Sequence, residues 1–228
     1  MIRLILFFTS LSFLYMNTLA QQNTQLVNQS SDDNTTQLNS SALEVILDSD
    51  YKLEEALYGQ RIHSSVKANL TLVNVFYYGF DEKLHQGQLV VHKAVAQDVK
   101  EIFEIIRQIH FPIEKVVPIC EYKWSDEKSM KDNNTSSFNY RFISGSKILS
   151  KHASGLAIDI NPKQNPYIKN GTTTPTGSIY EPEAKGTITA DSRIIEEFKK
   201  RSWTWGGDWK SLKDYQHFQK NLSDSKYN

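Results

Sequence analysis

The chain has 228 residues, 39% of them hydrophobic and 11% aromatic, enough apolar material for one sizeable core but hardly for two. Its 26 basic and 26 acidic side chains cancel, so it offers no electrostatic footprint for nucleic acid, and no DNA- or RNA-binding role is expected. Cys120 is the only cysteine, so no intrachain disulfide can form and the core must hold the fold; the apolar VVPIC run around it suggests a buried thiol.

In chain order, residues 1–20 (MIRLILFFTSLSFLYMNTLA) carry a basic Arg3, an apolar stretch from Leu4 to Tyr15 and a small Ala20 ahead of Gln21, the layout of a secretory signal peptide. The apolar part is short for a bilayer span; an uncleaved anchor is the alternative. The expectation is an exported protein, secreted or held in the periplasm or cell envelope, with no stable membrane span once the signal is removed. Residues 21–41 are almost wholly Gln, Asn, Ser, Thr and Asp and cannot bury enough apolar area to offset chain entropy, so they are expected to form a polar linker ahead of one folded domain, 42–228. Ser41 and Glu44 have capping-box spacing, which suggests a short helix before Tyr58. LTLVNVFYY (Leu70 to Tyr78) and QLVVH (Gln88 to His92) are rich in branched and aromatic residues and predict strands. Between Lys93 and His110, Val95, Val99, Ile102, Ile106 and Ile109 recur at helical spacing opposite Lys100, Glu104 and Arg107, and Pro112 lies just beyond.

FPIEKVVPIC and FNYRFIS (Phe138 to Ser144) predict further strands, with a polar loop SDEKSMKDNNTSS between them. Gly155 to Ile160 is small and apolar apart from Asp159, as suits a core strand carrying one functional side chain. A long loop punctuated by Pro162, Pro166, Gly171, Pro175, Gly177 and Pro182 follows, then a helix from about Asp191 to Lys200 burying Ile194, Ile195 and Phe198. Runs of strands and helices with too few βαβ units for a parallel sheet predict an α+β fold on an antiparallel sheet with flanking helices. Sequons at Asn69, Asn133, Asn134, Asn170 and Asn221 mean glycans only in a host that modifies secreted chains.

Two segments carry chemistry. In SKHASGLAID (Ser150 to Asp159), His152 stands seven positions before Asp159, and the small residues between let the backbone turn tightly enough for the two side chains to converge. Imidazole and carboxylate are good ligands for Zn²⁺. In DYQHF (Asp214 to Phe218), Asp214 and His217 are three apart; on a helical turn that spacing shares one face, so the histidine could bind metal while the carboxylate reaches the attacking water. Three protein ligands leave a fourth position open, as catalytic rather than structural zinc requires. The other histidines, His63, His85, His92 and His110, have no telling partner spacing and default to surface or structural roles. In WTWGGDW (Trp203 to Trp209), Trp203 and Trp209 suit the core, and Trp205 is the candidate for an aromatic wall beside a substrate.

The blocks GQLVVHKAVAQDV (87–99), FPIEK (111–115), MKDNNTSSFNYR (130–141), LSKHASGLAIDINPKQNPY (149–167) and WGGDWKSLKDYQHF (205–218) resemble the M15 family of zinc peptidases, the D-alanyl-D-alanine carboxypeptidase and L-alanyl-D-glutamate endopeptidase group, from about Leu72 to Phe218. The resemblance implies a Hedgehog/DD-peptidase-like fold, zinc held by His152, Asp159 and His217, and Asp214 as general base. It also implies that Arg141 stabilises an oxyanion or a substrate carboxylate, against the alternative of a structural salt bridge, and that Ser150 lies beside the substrate pocket, or merely caps a turn; Trp205 and Tyr215 are the further candidates for binding substrate. Many relatives carry Glu where Gln219 stands here, which puts a charge at that position in doubt. An Asp base favours the endopeptidase branch acting on peptidoglycan stem peptides. D-alanyl-D-alanine carboxypeptidase action, or a cell-wall-binding module that keeps zinc without hydrolysing, are the alternatives. A monomer is expected.

Overall fold

The computed structural model describes residues 44–222; the signal segment and the whole polar linker, Ser41 included, fall outside them. Among the described residues there are nine strands: β1 Val45–Leu47, β2 Leu70–Tyr78, β3 Leu84–His92, β4 Ala157–Asp159, β5 Tyr167–Lys169, β6 Thr172–Thr174, β7 Trp203–Trp205, β8 Lys213–Asp214 and β9 His217–Lys220. The α-helices are α1 Leu53–Ala56, α2 Ser64–Lys67, α3 Ala96–Gln108, α4 Asp126–Lys131 and α5 Arg193–Lys200. Mixed helices and mostly antiparallel sheets make an α+β fold. In place of a single sheet there are three small ones, ordered β1-β3-β2, β4-β9-β7 and β6-β5-β8, and the β1–β3 pair is parallel.

The β2–β3 hairpin follows its sequence alternation. Val73, Val75 and Tyr77 point to one face, opposite Leu89, Gly87 and His85, and α3 lays Val99, Ile102, Phe103 and Ile106 into the same core. Fully burying each such side chain is worth about 1.5–3 kcal/mol before chain entropy is counted, so the helix is stabilised by this face rather than by propensity. A Cβ at Gly87 would stand 2.2 Å from the Val116 carbonyl, so only glycine lets the 113–117 segment pass this closely. The other face of the hairpin is covered by Ala56, Leu57 and Phe138, packed on Leu70 and Val90. His92 ends β3 as a cap, its Nδ1 accepting from the Ala94 N–H at 3.1 Å. His85 is tied to Asp48 and Asp81 at 3.1 Å each, acidic partners that its sequence spacing did not single out.

Several expectations change here. The segment after Glu44 is strand β1 before it is helix α1, because its backbone pairs with β3. FPIEKVVPIC and FNYRFIS form only isolated bridges, Lys115 with Asn134 and Phe142 with Leu149. Buried asparagines take the place of a neighbouring strand: Asn134 accepts from Val117 N–H at 2.9 Å and donates to Val117 O at 3.0 Å, while Asn161 accepts from Glu114 N–H at 3.2 Å and donates to Pro112 O at 2.8 Å. Asn133 and Asn134 are buried, so neither sequon can carry a glycan in the folded protein. The polar loop before them contains α4, capped by Ser125, and the long proline-punctuated loop contains the β5–β6 hairpin.

The second sheet shares the main core. Phe218 of β9 stacks on Phe198 of α5 with ring centroids 3.8 Å apart, and Trp203 meets Phe198 edge-on at 5.4 Å. β4 and β9, the strands that carry Asp159 and His217, thus rest on this core through Ile158 and Phe218.

Candidate metal centre

Ser150 begins a 3₁₀ turn, Lys151–Ser154, by accepting from the His152 N–H at 3.3 Å. Gly155 ends the turn with φ +66°, and a Cβ there would lie 2.6 Å from the His92 nitrogen, whose N–H donates to the Gly155 carbonyl. This tight turn is the service of the small residues after His152. It delivers the chain into β4, where Asp159 sits directly opposite His217 of β9 in the antiparallel register.

The three side chains converge. His217 Nδ1 is 2.9 Å from Asp159 Oδ1, His152 Nε2 is 3.3 Å from Asp159 Oδ2, and the two imidazole nitrogens are 3.2 Å apart. Ligand atoms held ~2.0–2.1 Å from a tetrahedral zinc lie roughly 3.3 Å from one another, so the spacing fits such an ion. Among the described residues these three form a buried group able to hold a metal. The outer nitrogens agree with the fit: His152 Nδ1–H donates to the Ser137 carbonyl at 2.6 Å, and His217 Nε2–H to Gln219 Oε1 at 3.1 Å, so His152 Nε2 and His217 Nδ1 are the nitrogens left to bind a metal.

Electrostatics separates the two carboxylates. Burial pushes Asp159 upward, but the adjoining imidazoles of His152 and His217 outweigh it and hold the carboxyl well below the usual range. Asp214 moves the other way, to about 6, through burial first and then the negative charge of Asp159. His217 is pulled down by burial, yet its hydrogen bond to Asp159 and the charges of Asp159 and Asp214 raise it to about 9. Asp214 lies on β8, not on a helical turn: β8 pairs with β5, Tyr167 opposite Asp214, and a short connection leads into β9. Its Oδ1 is sealed from solvent with no hydrogen-bond partner among the described residues, which is costly for a group without a chemical use. Gly206 allows this placement, since a Cβ there would lie 2.5 Å from the Asp214 carbonyl oxygen and 2.8 Å from its Cβ.

Residues 144–220 match the family model described as D-alanyl-D-alanine carboxypeptidase. The match covers less than half of the chain and supports the M15 family and a peptidase; its span holds His152, Asp159, Asp214 and His217 and starts after Arg141. No curated protein and no solved structure matches the chain.

The remaining candidates sit less simply. Trp205 is buried in the core with its indole N–H donating to the Tyr215 carbonyl at 2.8 Å, so it is a support and not a pocket wall. Trp209, assigned to the core from sequence, is the half-buried one, with its ring 5.5 Å from that of His217. Composition treats all tryptophans alike; only the turn at Gly206–Asp208 decides which one faces the site. Tyr215 is held between Tyr180, stacked at 3.6 Å, and Trp205 at 5.7 Å. Ser150 is buried as a cap. Arg141 Nη2 pairs with Asp126 Oδ2 at 2.9 Å, and Asn139 Nδ2 donates to the other oxygen of the same carboxylate at 3.1 Å.

Proposed function

We propose that the protein is an exported zinc-dependent peptidase that hydrolyses peptidoglycan stem peptides, with L-alanyl-D-glutamate-type endopeptidase action favoured. The observation that carries this is the convergence of His152, Asp159 and His217 at zinc-like spacing beside the unpartnered, buried oxygen of Asp214. A zinc ion held there supplies Lewis acidity for activating water and polarising a scissile carbonyl. Asp214 accepts the proton of the attacking water and returns it to the leaving amine; its carboxyl, lifted to about 6, is basic enough to do so near neutrality. Trp209, its ring 5.5 Å from that of His217, is the aromatic side chain placed to flank a substrate.

Arg141 bears on which bond is cut. A carboxypeptidase must anchor the free carboxylate of its substrate, and an arginine already paired with Asp126 is a weak anchor for a second anion. That favours an endopeptidase groove, while the description of the matching family favours the carboxypeptidase. Mass spectrometry of muropeptides incubated with the purified protein, with and without a chelator, separates the two: release of a terminal D-Ala supports the carboxypeptidase, cleavage within the stem supports the endopeptidase. No mass change in zinc-replete protein would leave a binding module.

A further inference from the structure

We infer that Gln219 is a positioning residue of the metal centre, holding His217 in the tautomer whose Nδ1 lone pair faces Asp159 and His152. The inference rests on the zinc site proposed above and concerns how this chain prepares it. His217 and Gln219 are two apart on β9, so both side chains rise from the same face of the strand. Between them Phe218 turns inward and is locked by its stack on Phe198. The residues paired with Gln219 are small: Ala157 on β4 and Thr204 on β7. That leaves the Gln219 side chain room to lie back along the strand, and its Oε1 stands 3.1 Å from His217 Nε2.

A neutral imidazole has one N–H and one lone pair, and only the nitrogen with the lone pair can bind a metal. Since an amide oxygen can only accept, the Gln219 contact places the proton on Nε2 and frees Nδ1, the atom 3.2 Å from His152 Nε2 and 2.9 Å from Asp159 Oδ1. His152 needs no such side chain, because the Ser137 carbonyl already holds its Nδ1–H at 2.6 Å. Thus one ligand is oriented by the backbone and the other by Gln219 alone among the described residues. A glutamine does this without adding a further negative charge to a site that already holds Asp159 and Asp214. A carboxylate at 219 would accept the same proton, whereas an apolar side chain of similar volume would not.

The test is zinc affinity, measured by competition with a chromophoric chelator, for the wild type, Gln219→Met and Gln219→Glu. Loss of an outer partner to a metal-bound histidine weakens metal binding by about 10- to 100-fold, and Gln219→Met should fall in that range while Gln219→Glu binds at least as tightly as the wild type. Thermal unfolding in excess chelator shows whether each variant is folded before metal is added. Nitrogen-15 shifts of His217 in the zinc-loaded wild type give a second readout that needs no variant: a slowly exchanging Nε2–H supports the inference. Wild-type affinity in Gln219→Met, or a metal on Nε2 of His217, would overturn the role of Gln219 while leaving the zinc site standing. A wild-type protein that binds no zinc would overturn both.

Discussion

Asp214 and His217 stand three residues apart and both are raised, Asp214 to about 6 chiefly by burial, and His217 to about 9 because its burial, which lowers it, is outweighed by the carboxylates of Asp159 and Asp214. Replacing Asp214 by Ala should leave zinc content unchanged and lower turnover by about 10²- to 10⁴-fold, the usual contribution of a positioned proton acceptor; metal analysis and peptide hydrolysis on the same sample check this. His217 gives a pH prediction for the metal-free protein. Its folded value of about 9 lies above the ordinary histidine value of 6.5, so the stability it lends is complete below 6.5 and lost as pH rises through about 9. Unfolding temperatures in excess chelator should therefore decline over that window, and zinc-loaded protein should not follow, because metal binding requires Nδ1 already deprotonated. The two indoles differ. Trp205→Ala should destabilise by about 3–5 kcal/mol as a core truncation, while Trp209→Ala should raise KM with zinc content and unfolding temperature little changed.

Among the elements, the pairing of β4 with β9 does the decisive work, since one register places Asp159 opposite His217. A slip by one residue would send one ligand into the core and the other out. The approach of the 206–208 turn to β8 is as strict. Gly206→Ala should displace Asp214 and reduce turnover with zinc retained, because the added methyl meets backbone and not a flexible side-chain end. The asparagine links of 113–117 are the elements that strand patterning misreads. Asn134→Ala leaves the Val117 N–H and C=O without partners, and at about 1–3 kcal/mol for each buried unsatisfied group it should lower the unfolding temperature clearly. One missed element did carry a signal: Asn170-Gly171, both at positive φ, joins β5 to β6 between the branched residues of YIK and TTT, the residue pair that a tight hairpin turn prefers.

For the whole molecule, one core under α3, α5 and the first two sheets lies beneath the candidate metal ligands, with Phe218 buried between His217 and Gln219. Among the described residues no helix is long and apolar enough to cross a membrane. Export through the segment at residues 1–20 stays a proposal; comparing the mature N-terminus of protein recovered from the culture medium with the start at Gln21 tests it. Local order and chemistry were legible in the residues themselves: the β2 alternation, the α3 stripe and the donor types at His152, Asp159, Asp214 and His217, because periodicity and ligand chemistry are short-range properties. The tertiary structure alone decided that Trp209 and not Trp205 lies against His217, that Asp126 takes up Arg141, that side-chain amides replace a strand and that Gln219 meets His217. Each of these depends on which distant segments meet, and contact between segments far apart in sequence leaves no period along the chain.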